Sequence, residues 1–122
     1  METLADDRRG FVLEEYTIHF GPDESILYAE EREKLTRLVE MLASYPESRL
    51  IISGHTALAG TESGRELVSR ERVQVVADFL IAGGIESSRL ETSWYGARQP
   101  AAPNDEEGRP KNRRVELIVL EE

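Results

Sequence analysis

Between Phe11 and Phe20 the positions Val12, Tyr16, Ile18 and Phe20 follow an imperfect two-residue alternation, the period of a strand with one buried face. Gly21-Pro22-Asp23 breaks it, because proline fixes φ and brings no N–H. Leu35, Leu38, Val39, Met41 and Leu42 then recur at helical spacing, predicting a helix from about Tyr28 to Ser44 that stops at Tyr45-Pro46. The stretch Arg49 to Ser53 contains the continuous run Leu50-Ile51-Ile52 and ends at Gly54, the pattern of a central strand buried on both faces. From about Gly64, Val68, Val73, Val76, Phe79 and Leu80 gather on one side of a second amphipathic helix, closed by Gly83-Gly84. Leu90, Thr92 and Trp94 alternate with Glu91, Ser93 and Tyr95, and Val115, Leu117 and Val119 alternate with Glu116 and Ile118, giving two further strands. Between them Pro100, Pro103, Asn104, Asp105 and Gly108 mark an irregular loop. The order strand, helix, strand, helix, strand, strand implies an α/β domain with a sheet covered by helices.

With 122 residues the chain holds one core. Residues 1–10 read as a charged lead and residues 11–122 as a single domain, with no repeat, linker or low-complexity tract. Apolar residues at 39% and charged residues at 32% fit a globule and neither a disordered tail nor a membrane bundle. The formal charge of −9 repels nucleic acid and anionic membranes at long range, so nucleic acid is excluded as a partner; a local basic cluster can still bind a small anion. Cysteine is absent, which removes disulfides and thiolate chemistry but leaves the compartment open. No apolar run approaches the roughly 20 residues of a membrane helix, so this domain does not insert by itself. The start Met-Glu-Thr-Leu-Ala-Asp-Asp lacks the features of an export signal; for a role outside the cytoplasm, that signal must have been removed or belong to a longer parent chain.

Catalytic motifs are missing. His19 and His55 lack the spacing of a helical metal pair and read as ordinary strand and loop histidines, so no metal is assigned. There is no G-x-S-x-G elbow or dinucleotide fingerprint, and Gly60-Thr61-Glu62-Ser63-Gly64 lacks the lysine of a phosphate loop. Runs such as Glu30-Glu31-Arg32-Glu33-Lys34 read as a solvated helix face. The expectation is a non-enzymatic domain with no catalytic residues and no cofactor.

More informative are Gly54-His55-Thr56-Ala57-Leu58-Ala59-Gly60, Val68-Ser69-Arg70-Glu71-Arg72-Val73 and Asn112-Arg113-Arg114-Val115-Glu116, with Gly83-Gly84-Ile85, Arg89-Leu90 and Tyr95-Gly96 between them. In order and spacing these segments resemble the family of OmpA, MotB and peptidoglycan-associated lipoprotein, whose motifs run G-H-T-D-x-x-G, L-S-x-x-R-A, G-x-G and N-R-R-V-E. The resemblance covers Phe11 to Leu120. It implies an α+β sandwich, a βαβαββ mixed four-stranded sheet with helices on one side. It also implies a cell-envelope anchoring module on the periplasmic side, carried by an outer-membrane-associated protein, that binds peptidoglycan noncovalently and has envelope proteins as further partners. In that family an Asp of the G-H-T-D loop and an Arg of the next helix hold the charged groups of diaminopimelate in the stem peptide.

Arg72 aligns with the family's arginine, but Ala57 stands at the aspartate position, Arg65 replaces a usual asparagine, and Gly21 stands where an acidic residue often follows the first strand. Loss of one partner of a buried recognition pair costs roughly 2–5 kcal/mol. The resemblance therefore implies peptidoglycan binding that is weakened or altered in specificity, in a basic pocket of Arg65, Arg72, Arg113 and Arg114 with Thr56, Ala57 and Leu58 as its loop wall. One version is a wall carrying ornithine in place of diaminopimelate; the alternative function is a structural or protein-interaction domain that has lost peptidoglycan binding. For the single residues the duller readings are that Arg113 and Arg114 pair with carboxylates, that Arg72 belongs to a solvated Arg70-Glu71-Arg72 run, and that Thr56 closes a turn.

Overall fold

The predicted elements form, and the sheet orders them in a way that alternation alone does not specify. The computed structural model describes residues 11–121, so the charged lead of residues 1–10 lies outside the described residues. Strand β1 (Phe11–His19) is followed by helix α1 (Ala29–Ser44), strand β2 (Ser48–His55) and helix α2 (Glu62–Ala82). A 3-10 turn at Ser87–Arg89 leads into β3 (Leu90–Trp94); the one-turn helix α3 (Arg109–Asn112) precedes β4 (Arg114–Glu121). The sheet runs β1-β4-β2-β3, with β4 antiparallel to both β1 and β2, and β2 parallel to β3. It is the expected mixed four-stranded sheet, with β2 inside it.

Alternation decides what each strand offers the helices. Leu50 and Ile52 of β2, Val115, Leu117 and Val119 of β4 and Ile18 of β1 meet Leu35, Leu38 and Leu42 of α1 and Val73, Val76 and Leu80 of α2 in one buried cluster. Ile51 is buried on the opposite face, so β2 is covered on both sides, as its continuous apolar run predicts. Helix α2 starts two residues before the predicted Gly64, because the Thr61 side chain accepts from the Gly64 N–H at 3.0 Å and caps it. Val68 and Phe79, predicted on the core side of that helix, are only half-buried. The short helix α3 carries no periodicity that a sequence pattern could reveal.

Where β2 passes beneath α2 the two backbones approach closely at Gly54. A Cβ there would lie 2.4 Å from the Ser69 carbonyl oxygen and 2.6 Å from Val73 Cγ2. Neither neighbour is the free end of a flexible chain, so Gly54→Ala is expected to push the helix off the strand and destabilise the domain by about 1–3 kcal/mol, measured by urea denaturation.

Candidate functional site

At the C-terminal end of β2 the chain turns away from the sheet. The Thr56 N–H donates to the Gly96 carbonyl at 2.8 Å and the Thr56 hydroxyl to the Ala57 carbonyl at 2.9 Å, which fixes both residues. Thr56 therefore does close the turn, as its duller reading holds, and it lines a cavity as well. The loop is braced from the far side by Asn104, whose Oδ1 accepts from the Leu58 N–H at 3.0 Å. Asn104 is held in turn by the buried Asn112, which donates to Asn104 and to the Ala102 carbonyl while accepting from the Ala101 and Ala102 N–H groups. All four hydrogen-bonding positions of the Asn112 carboxamide are used, so this side chain orders the irregular loop.

Beside the turn lies a cavity of about 420 Å³, bounded by the Pro22–Asp23 turn, the loop from Thr56 to Thr61, the start of α2 and α3. Arg65, Arg72, Arg109 and Arg113 line it, and Ala57, Ala59 and Val68 supply apolar wall. Asp23 is the carboxylate among its lining residues.

Arg72 is only 1% exposed. Its Nε donates to the Glu24 carbonyl at 2.8 Å, Nη1 to the His55 carbonyl at 3.0 Å and Nη2 to the Gly21 carbonyl at 3.0 Å. Three of its five N–H donors are thereby engaged, leaving two without a protein acceptor among the described residues. Burial, and then the neighbouring Arg113 charge, pushes its pKa down to about 10 against the pull of Asp23 and Glu24, so it remains charged at neutral pH. The other three arginines sit nearer the mouth. Arg65 donates to the Gly60 and Ala59 carbonyls, and Arg113 Nε to the Phe20 carbonyl, while the Arg109 side chain makes no hydrogen bond among the described residues. None of the four forms an ion pair among the described residues, although Arg98 pairs with Glu66, Arg114 with Glu116 and Lys34 with Glu31 elsewhere.

Of the predicted site residues, Thr56, Ala57, Arg65, Arg72 and Arg113 come together at this cavity. Two do not. Arg114 enters β4 on the face turned away from the helices, where Nε holds Glu116 at 2.7 Å and Nη2 the Gln99 carbonyl at 2.9 Å; its carboxylate-paired reading is the correct one. Alternation sends it there, since Val115 faces the core and its neighbours must face the other way. Leu58 is 52% exposed and borders a separate depression with Arg98 and Gly96. The solvated-run reading of Arg72 also fails: Arg70 and Glu71 are exposed, but Arg72 shares the inner helix face with Ser69, Val73 and Val76. Arg109 and Asp23 enter the site without having been singled out. The basic segment Arg109-Pro110-Lys111-Asn112-Arg113-Arg114 in an otherwise acidic chain was the readable signal for Arg109.

Behind the loop wall, His55 is 1% exposed and stacks on Tyr95 with ring centroids 5.4 Å apart. Neither ring nitrogen has a hydrogen-bond partner among the described residues. Burial first, and the Arg114 charge second, hold its pKa down at about 4, so the ring is neutral at neutral pH. No group of three or more metal-ligating side chains occurs among the described residues.

The model of the OmpA family matches residues 19–114. The chain is 38% identical over 103 residues to the peptidoglycan-binding protein ArfA of Mycobacterium tuberculosis, covering 84% of this chain and 32% of that protein, so it spans a minor part of the relative's length. Among solved structures, the peptidoglycan-associated lipoprotein from Burkholderia pseudomallei superposes with a TM-score of 0.81 at 24% identity, covering 84% of this chain and 88% of the other. The cell wall anchor of the T6SS from Pseudomonas aeruginosa gives 0.74 at 27% identity, covering 88% and 81%.

Proposed function

The chain belongs to the OmpA family, and from that premise we propose that its arginine-lined cavity binds the stem peptide of peptidoglycan noncovalently, as an anchoring module on the periplasmic side of the cell envelope. One observation carries this reading. In a chain of net charge −9, four guanidiniums converge on one cavity without a carboxylate partner among the described residues. Arginines in so acidic a protein find carboxylates easily, so four without an ion pair among the described residues are suited to an anion from outside. A stem peptide supplies carboxylates of the right geometry for paired N–H donors. Arg72 offers its two remaining donors at the bottom, and Arg65, Arg109 and Arg113 surround the entrance. The module holds its ligand and breaks no bond.

The charge balance argues against the ornithine version. Ornithine presents an ammonium and lacks the carboxylate that the guanidiniums would take up, whereas diaminopimelate keeps it. Ala57 favours a second reading, in which the fold persists as a contact surface for other envelope proteins. Sedimentation with purified sacculi separates the two. The folded domain is expected to co-sediment with diaminopimelate-type sacculi. Arg109→Ala is expected to weaken binding about threefold to tenfold, and Arg109→Ala with Arg113→Ala at least tenfold, without loss of the folded state. A folded domain that sediments with no sacculus type would sink the proposal in favour of the second reading.

A further inference from the structure

Building on that reading, we propose that Asp23 is the ammonium acceptor of the cavity, taking the role of the carboxylate missing at position 57, so that the ligand group recognised is an α-amino carboxylate. The cavity lies between the Pro22–Asp23 turn and the Ala57 wall, and of these only Asp23 bears a charge complementary to an ammonium. Its side chain is exposed and has no hydrogen bond or ion pair among the described residues, even though it lines the cavity with four guanidiniums.

The backbone adds an independent observation. Gly21-Pro22-Asp23-Glu24 is a turn closed by the Glu24 N–H donating to the Gly21 carbonyl at 3.3 Å. Asp23 has φ of 54°, and it is the one non-glycine residue in the left-handed region among the described residues. Proline at the second position and positive φ at the third define the type II geometry, whose third position is best filled by glycine. An aspartate tolerates that conformation better than most residues but still occupies a place where glycine costs less. Arg72 then fixes the turn from inside, since it donates to the carbonyls of both Gly21 and Glu24, the residues that end it. The side chain that would take the ligand carboxylate thus also sets the backbone position from which Asp23 projects. Opposite charges mounted on one braced unit suit a ligand that carries a carboxylate and an ammonium on the same carbon, as the free end of diaminopimelate does.

Calorimetric titration of the 122-residue chain with two synthetic tripeptides tests this: L-alanyl-γ-D-glutamyl-diaminopimelate, and the same peptide acetylated on the side-chain amine. The wild type is expected to prefer the free amine by about tenfold or more. Asp23→Asn is expected to abolish that preference while keeping the acetylated peptide's affinity, and Ala57→Asp added to Asp23→Asn to restore it. Asp23→Gly is expected to lose the preference with no fall in melting temperature, which a merely structural aspartate would not show. Equal affinities in the wild type, a preference for the acetylated peptide, or discrimination that survives Asp23→Asn would each overturn the assignment and leave the arginine cavity as a carboxylate site. If the folded wild type binds neither peptide, the reading of the cavity itself falls, and this assignment with it.

Discussion

Arg72→Ala is expected to destabilise the domain by about 3–5 kcal/mol, and with it to remove ligand binding. The side chain is the largest fully buried one among the described residues. It joins four parts of the molecule: the α2 helix that carries it, the end of β2 through the His55 carbonyl, and the two ends of the β1–α1 turn through Gly21 and Glu24. Hydrogen bonds from a charged donor contribute about 1.5–3 kcal/mol each, and truncation leaves three carbonyls seeking partners. Gly21 and Glu24 are half-buried, so water will recover part of that loss. Lysine at this position keeps the charge but concentrates its donors at one point, so it cannot span three carbonyls; Arg72→Lys is expected to fall between the wild type and alanine. Urea denaturation of the three proteins at pH 7 measures the series, and a loss below about 1 kcal/mol for alanine would contradict the bracing role. The structural burden on Arg72 also means that lost sacculus binding in Arg72→Ala does not by itself report recognition. Arg109, exposed and without a partner among the described residues, gives the cleaner measurement.

The elements were legible in the sequence because period two and period 3.6 are imposed by burial on one face, and both survive in the run of apolar positions. The site was legible only where a motif fixed it. Arg72, named through the resemblance, lines the cavity. Its burial was nonetheless readable from helical spacing, since it stands three residues after Ser69 and four before Val76; charged side chains are so seldom buried that the run Arg70-Glu71-Arg72 suggested solvent instead. Arg113 and Arg114 look alike in the sequence, yet one lines the cavity and the other crosses to the far face of the sheet, a difference decided by where β4 begins. Leu58 shows the same dependence in a loop, where no period predicts direction. Asp23 and Arg109 belong to a turn and to a one-turn helix that are distant in sequence, and only the folded sheet brings them to one cavity.

Acidification from pH 7 to about pH 4 is expected to lower stability, with His55 alone accounting for about 3 kcal/mol. Its ordinary pKa of 6.5 falls to about 4 in the folded domain, first because the ring is buried and then because Arg114 lies near, with Glu116 opposing. Between these two values the unfolded chain binds a proton that the folded chain refuses, so stability rises with pH across the window and is lost as pH falls through it. His19 is shifted in the same direction, by burial and then by Lys34, and adds to the slope in the same sense. Urea midpoints recorded from pH 7.5 to pH 4 for the wild type and His55→Phe isolate the His55 share, because phenylalanine keeps the stacked ring against Tyr95 without a titrating nitrogen. The variant should lose the larger part of the pH slope, and identical slopes would show that the buried imidazole is not the responsive group. The consequence reaches the cavity, since the His55 carbonyl holds Arg72 Nη1 and the next two residues form the wall. Forcing a charge onto this ring loosens the end of β2 from which both Arg72 and Ala57 are positioned, so ligand affinity should weaken on the acid side before the domain unfolds.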